Sequence, residues 1–372
     1  MGLILTRTQD WIEQNPNMDK NMARPRNFGA FDFFVSQAGA PNGLLDADLR
    51  RRALASIGNT IKIPVIDYNG DVTVSNSRTC VIPVNDNTSR MVGVTFATYT
   101  VGFRMIPQLH LNNYISYQRD YARKFYNIMM ALGNKLDRDA IMALNTNKSQ
   151  QYADKLIYDV AANAFQIPWD YREEILGDLH PIFKANDYLG QIHVIGNTGL
   201  DSMISKLAEH GAYNDVNKAL EYQGKTYHFT NNLTNEAGKF ATFFAVEDGN
   251  VSILTRVDRE ALAGTRMAND EFEVVTLPGL GIPVGTHYHT ELGNVAELYP
   301  QDESVQDMTC NQIEYFGFSV DVAFVVAYNS APETIANPIL RVEIARKDGN
   351  AVARPVEIVN TAENPVYTQA AG

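Results

Sequence analysis

Cysteine is nearly missing from this chain: Cys80 and Cys310 are the only two in 372 residues, and neither has a CxxC companion. That excludes a disulfide scaffold, a zinc ribbon and a thiol redox motif. Long apolar runs are missing too. No stretch of eighteen apolar residues occurs, so no helical membrane span is expected. The first residues, MGLILTRTQDW, hold one short apolar run, Leu3 to Leu5, and no cleavage site, so they do not read as a signal peptide. Gly2 and Thr6 fit a myristoylation pattern that has no basic cluster beside it. Basic charge is in deficit, Lys+Arg 31 against Asp+Glu 43, a net −12 that excludes duplex binding driven by charge over the whole surface. The most basic segment, with Arg24, Arg26 and Arg50 to Arg52, reads as a solvated helix face or a salt-bridging arm. A reducing cytoplasm is the expected place of synthesis.

Catalytic signatures are equally scarce. There is no G-x-G-x-x-G, no G-x-x-x-x-G-K and no G-x-S-x-G. The turn Gly196 to Gly199 could hold a phosphate at a helix start, but a threonine cap explains its residues. Glu173 and Glu174 are adjacent on a predicted helix and point to different faces, which suits solvent better than acid–base work. The segment GIPVGTHYHTELG, Gly281 to Gly293, comes nearest to chemistry. In a strand, His287 and His289 share a face and could reach one metal, as in a cupin. A cupin also needs a carboxylate three or four residues further on, where Gly293 and Asn294 stand, and a later histidine, whereas His289 is the last. No metal, cofactor or catalytic residue is therefore expected, and the segment reads as a strand with surface histidines.

What is present is an ordered series of elements. Residues 1 to about 58 mix polar turns with an aromatic cluster, Phe28, Phe31, Phe33 and Phe34, and a candidate helix from Leu44 to Ile57. Such a segment cannot bury those rings alone and is expected to lie against another body, either its own chain's or a neighbour's. IKIPVIDY, DVTVS, TCVIPV and MVGVTFATYTVGF then alternate between Ile61 and Phe103, broken by NGD and NDNTS, in the manner of strands and turns. Two or three strands alone are marginal in water, so this ribbon must join a larger sheet or a partner chain.

After Pro107, the run from Leu111 to Leu144 places apolar residues at spacings of three and four for about nine turns, roughly 50 Å of helix. Its charges, Asp137 among them, fall mostly on other faces. Further on, helices are expected at Trp169 to Phe183 and in NTGLDSMISKLAEHG, the second with Thr198 and Asp201 as a capping box. Strands are expected at QIHVI, Lys225–Thr230, Phe240–Val246, Val251–Arg256 and Phe272–Thr276. FGFSVDVAFVVAYN, Phe316 to Asn329, alternates and then runs solid, as a centrally buried strand would. Residues 331 to 372, including ILRVEIA, read as an extended tail on a surface.

Taken in order, the ribbon Ile61–Phe103, LNNYISYQRDYARKFYNIMMALGNKLDRDAIMALN, QIHVIGNTGLDSMISKL and FGFSVDVAFVVAYN resemble the major capsid protein of tailed bacteriophages. The resemblance covers most of residues 1 to 330. It implies an α+β chain of the Hong Kong 97-type capsid fold. The expected divisions are an N-terminal arm (1–58), an extended β-hairpin loop (59–104) and a peripheral domain with a long spine helix (105–165). A mixed α/β axial domain (166–270), return strands (271–330) and a C-terminal extension (331–372) complete them. It further implies a shell of hexamers and pentamers around double-stranded DNA contacted non-specifically, with scaffolding, portal and decoration proteins as partners, in the virion and assembled in the host cytoplasm. Inter-subunit contacts are expected at Phe28, Phe31, Phe34, Arg78 and Arg90. Some relatives cross-link through a loop lysine; Ile63 to Phe103 contains none, so a non-covalent shell is expected. The alternatives are an encapsulin-like nanocompartment, a tail-tube or adhesin protein, and a cupin-like metal enzyme using His287 and His289.

Overall fold

The computed structural model describes residues 28–38, 58–66, 89–111, 117–149, 163–186, 188–207, 224–257, 266–277, 279–298, 310–326 and 338–347, with short strands at 158–159, 212–214, 219–222, 355–361 and 364–369 and a few positions between. In chain order the elements open with helix α1 (Gly29–Ala38) and strands β1 (Thr60–Ile66), β2 (Ser89–Thr95) and β3 (Ala97–Met105). Helix α2 (Tyr117–Thr146) follows, then β4 (Tyr158–Asp159), β5 (Ala164–Ile167), α3 (Glu174–Lys184), β6 (Ile192–Gly196) and α4 (Thr198–Leu207). Next come β7 (Ala212–Asn214), β8 (Ala219–Tyr222), β9 (Lys225–Phe229), β10 (Lys239–Glu247), β11 (Val251–Arg256), β12 (Arg266–Met267) and β13 (Asp270–Thr276). The chain closes with β14 (Pro283–Gly293), the short α5 (Val295–Leu298), β15 (Asn311–Val326), β16 (Ile339–Ala345), β17 (Pro355–Thr361) and β18 (Asn364–Gln369). The chain is α+β, and its described residues fall into two compact units.

The first unit draws on residues 96–136 and 254–323. Its sheet runs β11-β15-β14-β13-β12, and β3 also pairs with β15. The alternation read in FGFSVDV is the reason β15 is central. Phe316, Phe318, Val320 and Val322 stand on one face and are almost fully buried. That face meets α2 through aromatic rings: Phe316 lies 4.9 Å from Tyr121 and 5.0 Å from Phe103, and Phe318 lies 5.6 Å from Phe125. Each such ring contributes about 2–3 kcal/mol by leaving water. On the opposite face Asp321 receives Arg256 at 3.0 Å and the Thr98 hydroxyl at 2.7 Å, and the guanidinium lies 4.5 Å from the Phe96 ring.

The single hairpin expected over residues 59–104 is divided in the structure. In the structure β1 and β2 form a two-stranded sheet that ends at Thr95, and β3 pairs with β15 instead. The aromatic content of β3 accounts for the change, because Phe103 stacks on Phe316 in the core of this unit.

The second unit draws on residues 27–95, 137–253 and 324–372. Its mixed eight-stranded sheet has the order β4-β5-β16-β10-β6-β9-β8-β7. On one face α3 and α4 pack Ile175, Leu179, Phe183, Leu200 and Ile204 against Val194, Phe243 and Val342. Alternation turns His193 to the other face, where α1 lies against β6 and β9.

ILRVEIA is not a surface tail. As β16 it sits inside this sheet between β10 and β5, with Ile339, Leu340, Val342 and Ile344 at most 2% exposed. Five apolar residues in seven require that burial, and the late position in the chain conceals it. The α4 cap also differs from the expected one: Asn197 Oδ1 accepts the Gly199 N–H at 3.2 Å, and the Asn197 carbonyl accepts that of Asp201.

Candidate functional site

The ribbon β1–β2 is the first candidate surface. It pairs from Thr60↔Thr95 to Ile66↔Ser89. Ile61, Ile63 and Val94 face inward and are buried. Lys62, Pro64, Met91, Gly93 and Thr95 are exposed, Met91 to 59%. One face of the ribbon is therefore satisfied and the other is open. Arg90 stands in β2 opposite Val65, while Arg78, with all of residues 67–88, lies outside the described residues.

The aromatic cluster has a different setting from the one expected. Phe28, Phe31 and Phe34 are 3%, 0% and 0% exposed within their own chain. Phe34 meets Phe324 at 5.1 Å. These rings have no face left for a neighbour, because residues 29–38 coil into α1 and turn the rings onto the unit's own sheet. The approach is close: a Cβ on Gly29 would fall 2.3 Å from the Phe229 carbonyl oxygen. Glycine is required there.

The start of α1 is held by Asp137, a fully buried residue of α2. Its Oδ1 accepts the Phe31 N–H at 3.0 Å. Its Oδ2 accepts the Asn232 amide at 2.9 Å and the Thr230 hydroxyl. A carboxylate among such donors supplies the cap that the helix N-terminus lacks. Burial pushes its pKa up, against the pull of the hydrogen bonds from Thr230 and Phe31.

Beneath α1, two histidines from neighbouring parallel strands meet. His193 Nδ1 lies 3.1 Å from His228 Nε2, and the Phe33 ring covers both at 4.9 and 5.5 Å. Burial lowers both pKa values, that of His228 to about 3, with a further contribution from His193. Asp248 lies 3.6 Å from His193 Nε2 and opposes the shift on that ring.

In the first unit, β14 carries His287 and His289 on one face, as read. Asp270, from the preceding strand, places Oδ1 2.6 Å from His287 Nε2 and 2.9 Å from His289 Nδ1. Those contacts, led by the His287 hydrogen bond, hold the Asp270 carboxyl below the usual range. Among the described residues no group of three or more His, Cys, Asp or Glu side chains is arranged to hold a metal ion. Here the carboxylate oxygen itself lies between the two ring nitrogens. Beside them Gly102 and Gly317 face each other across β3 and β15, leaving an open hollow of about 650 Å³ lined by Thr100, Arg104, Tyr315 and the two histidines.

Sequence reasoning missed Asp137, His193, His228 and Asp270 as site residues. The one available signal was a charged or titratable residue inside an otherwise apolar stretch, as in QIHVI.

No protein-family model and no curated protein matches the sequence. Among solved structures, the chain is similar to one from Mycobacterium phage Bobi, at 15% identity and a TM-score of 0.44 over 80% of this chain and 90% of that one. It is also similar to the Cyanophage Pam1 capsid asymmetric unit, at 11% identity and a TM-score of 0.46 over 85% and 92%. A third is the asymmetric unit of the bacteriophage PhiM1 mature capsid, at 8% identity and a TM-score of 0.40 over 77% and 82%.

Proposed function

We propose that this chain is the major capsid protein of a tailed bacteriophage, a structural subunit that assembles through hexamers and pentamers into an icosahedral shell around double-stranded DNA. The observation that carries the reading is the β1–β2 ribbon, a two-stranded sheet with one open face. A ribbon of two strands is marginal alone and gains stability when its free face and edges meet another surface. A neighbouring subunit supplies that surface in every copy when the contact is heterologous and closes into rings.

The rest of the chain supports the same assignment. In this reading the sheet around β15 with α2 forms the peripheral domain, and the eight-stranded sheet with α3 and α4 forms the axial domain. The net charge of −12 suits a wall that must contain DNA without binding it tightly. Scaffolding, portal and decoration proteins are the expected partners, the virion is the expected location, and assembly takes place in the host cytoplasm. The role is structural rather than catalytic.

Sedimentation velocity of the purified chain tests the proposal. Capsomers or shells sedimenting far faster than the 41.4 kDa chain support it. A single monomeric or dimeric boundary under all assembly conditions overturns it.

A further inference from the structure

The His193–His228 contact lies directly under the aromatic helix α1, against Phe33. We infer that this pair is an acid-sensitive latch that holds α1 on the sheet of the second unit. The geometry sets the behaviour. Two imidazoles with facing nitrogens 3.1 Å apart share one hydrogen, so one donates and the other accepts. Their rings are stacked at 5.4 Å, and Phe33 lies against both, leaving His193 buried and His228 half-buried, so a proton on each ring sets two like charges face to face where little water reaches them. Two positive charges at this separation repel strongly under an apolar cover. Opening α1 hydrates both rings and removes the conflict.

Among the described residues, the charged groups around the pair are few. Asp248, in the turn after β10, lies on the outer nitrogen of His193 and favours the first proton there. On β10 itself, Glu247 is occupied by the Gly190 N–H at 2.6 Å and the Asn250 amide at 2.9 Å. Lys225 of β9 alternates to the other face from His228. Helix α1 contributes Asp32, which is exposed, and turns Phe33 and Gln37 inward. Asp137 of α2 caps the start of α1 rather than touching the histidines. Glu221, in β8, pairs in register with Thr226 of β9.

The sign follows from linkage. Both histidines have pKa values below the ordinary 6.5 when α1 is closed and regain it when α1 is open. The open form then binds more protons, so closure is favoured fully above pH 6.5 and weakens as pH falls towards 3. Asp137 acts the other way: its raised pKa in the closed form means that protonation there favours closure.

Hydrogen exchange read by mass spectrometry on the full chain tests the latch, comparing peptides of α1 with those of β14 at pH 7 and pH 5 after correction for intrinsic exchange. Protection of α1 should fall about twenty- to thirtyfold for each histidine that is neutral when closed and hydrated when open, while β14 holds. In the His193→Gln, His228→Gln double variant the acid-induced loss of α1 protection should vanish, leaving only the opposite, protective trend that Asp137 contributes as pH falls. If the double variant does not fold, His228→Gln alone should remove about half of the effect on a logarithmic scale. Unchanged protection of α1 in the native chain overturns the inference. So does an equal loss in the variants, which would assign the effect to groups other than the two histidines.

Discussion

The Asp137 carboxylate accepts the backbone N–H of Phe31 at 3.0 Å, joining two residues 106 positions apart and capping α1 with a side chain from α2. Replacing Asp137 by alanine strands the Phe31 N–H, the Thr230 hydroxyl and the Asn232 amide in a buried place. The expected cost is about 2–4 kcal/mol, read as a lower denaturation midpoint of the unassembled subunit. Asp137→Asn, which keeps one acceptor, should cost less. Equal stability of the alanine variant would mean that α1 is held by its rings alone.

The Arg256–Asp321 pair predicts a different pattern. Asp321→Ala leaves a guanidinium that is 15% exposed without its partner and should cost about 3–5 kcal/mol. Replacing both, as Arg256→Met with Asp321→Leu, should recover most of that loss, because an apolar pair avoids the desolvation of two charges. Thermal unfolding of the three variants decides the point. A double variant as unstable as Asp321→Ala would show that the pair has a role beyond mutual compensation.

Much of this architecture was legible in the sequence. Strand β15 could be read because alternating Phe316, Phe318 and Val320 follow the pleat of a strand with one buried face. Helix α2 could be read because its apolar stripe is long and regular. Helix α1 was missed because almost all of it is apolar and buried: Phe31, Phe33 and Phe34 leave a polar stripe of little more than Asp32 and Ser36, so periodicity has no contrast to report. Asp137 counted as a surface charge of α2, since its donors come from residues around 31 and 230 that no local pattern connects. The same limit concealed the meeting of His193 with His228 across two parallel strands, and of Asp270 with His287 and His289.

The burial of β16 makes truncation informative. A chain stopped after residue 347 keeps Ile339–Ala345 in the sheet and should remain soluble with native circular dichroism. A chain stopped after residue 337 loses a central strand and should aggregate, because β10 and β5 are left with unpaired edges. Soluble, native-like behaviour of the shorter chain would contradict the placement of β16.

The ribbon yields the assembly prediction. Arg78→Glu with Arg90→Glu should leave the subunit folded, by circular dichroism and thermal midpoint, while reducing particle yield at least tenfold by sedimentation. Charge reversals outside a folded core ordinarily change stability by about 0.5 kcal/mol or less, so a loss of particles without a loss of stability marks an assembly contact. Normal particle yield would remove residues 67–95 from the contact.

Negative-stain electron microscopy of the purified chain tests the central claim most directly. A capsid subunit should give icosahedral particles, tubes, or five- and six-membered rings, with a particle diameter that separates a virus head from a small nanocompartment. A monodisperse monomer or dimer carrying stoichiometric metal that His287→Ala removes would contradict that claim and would make Asp270, His287 and His289 the centre of a different protein.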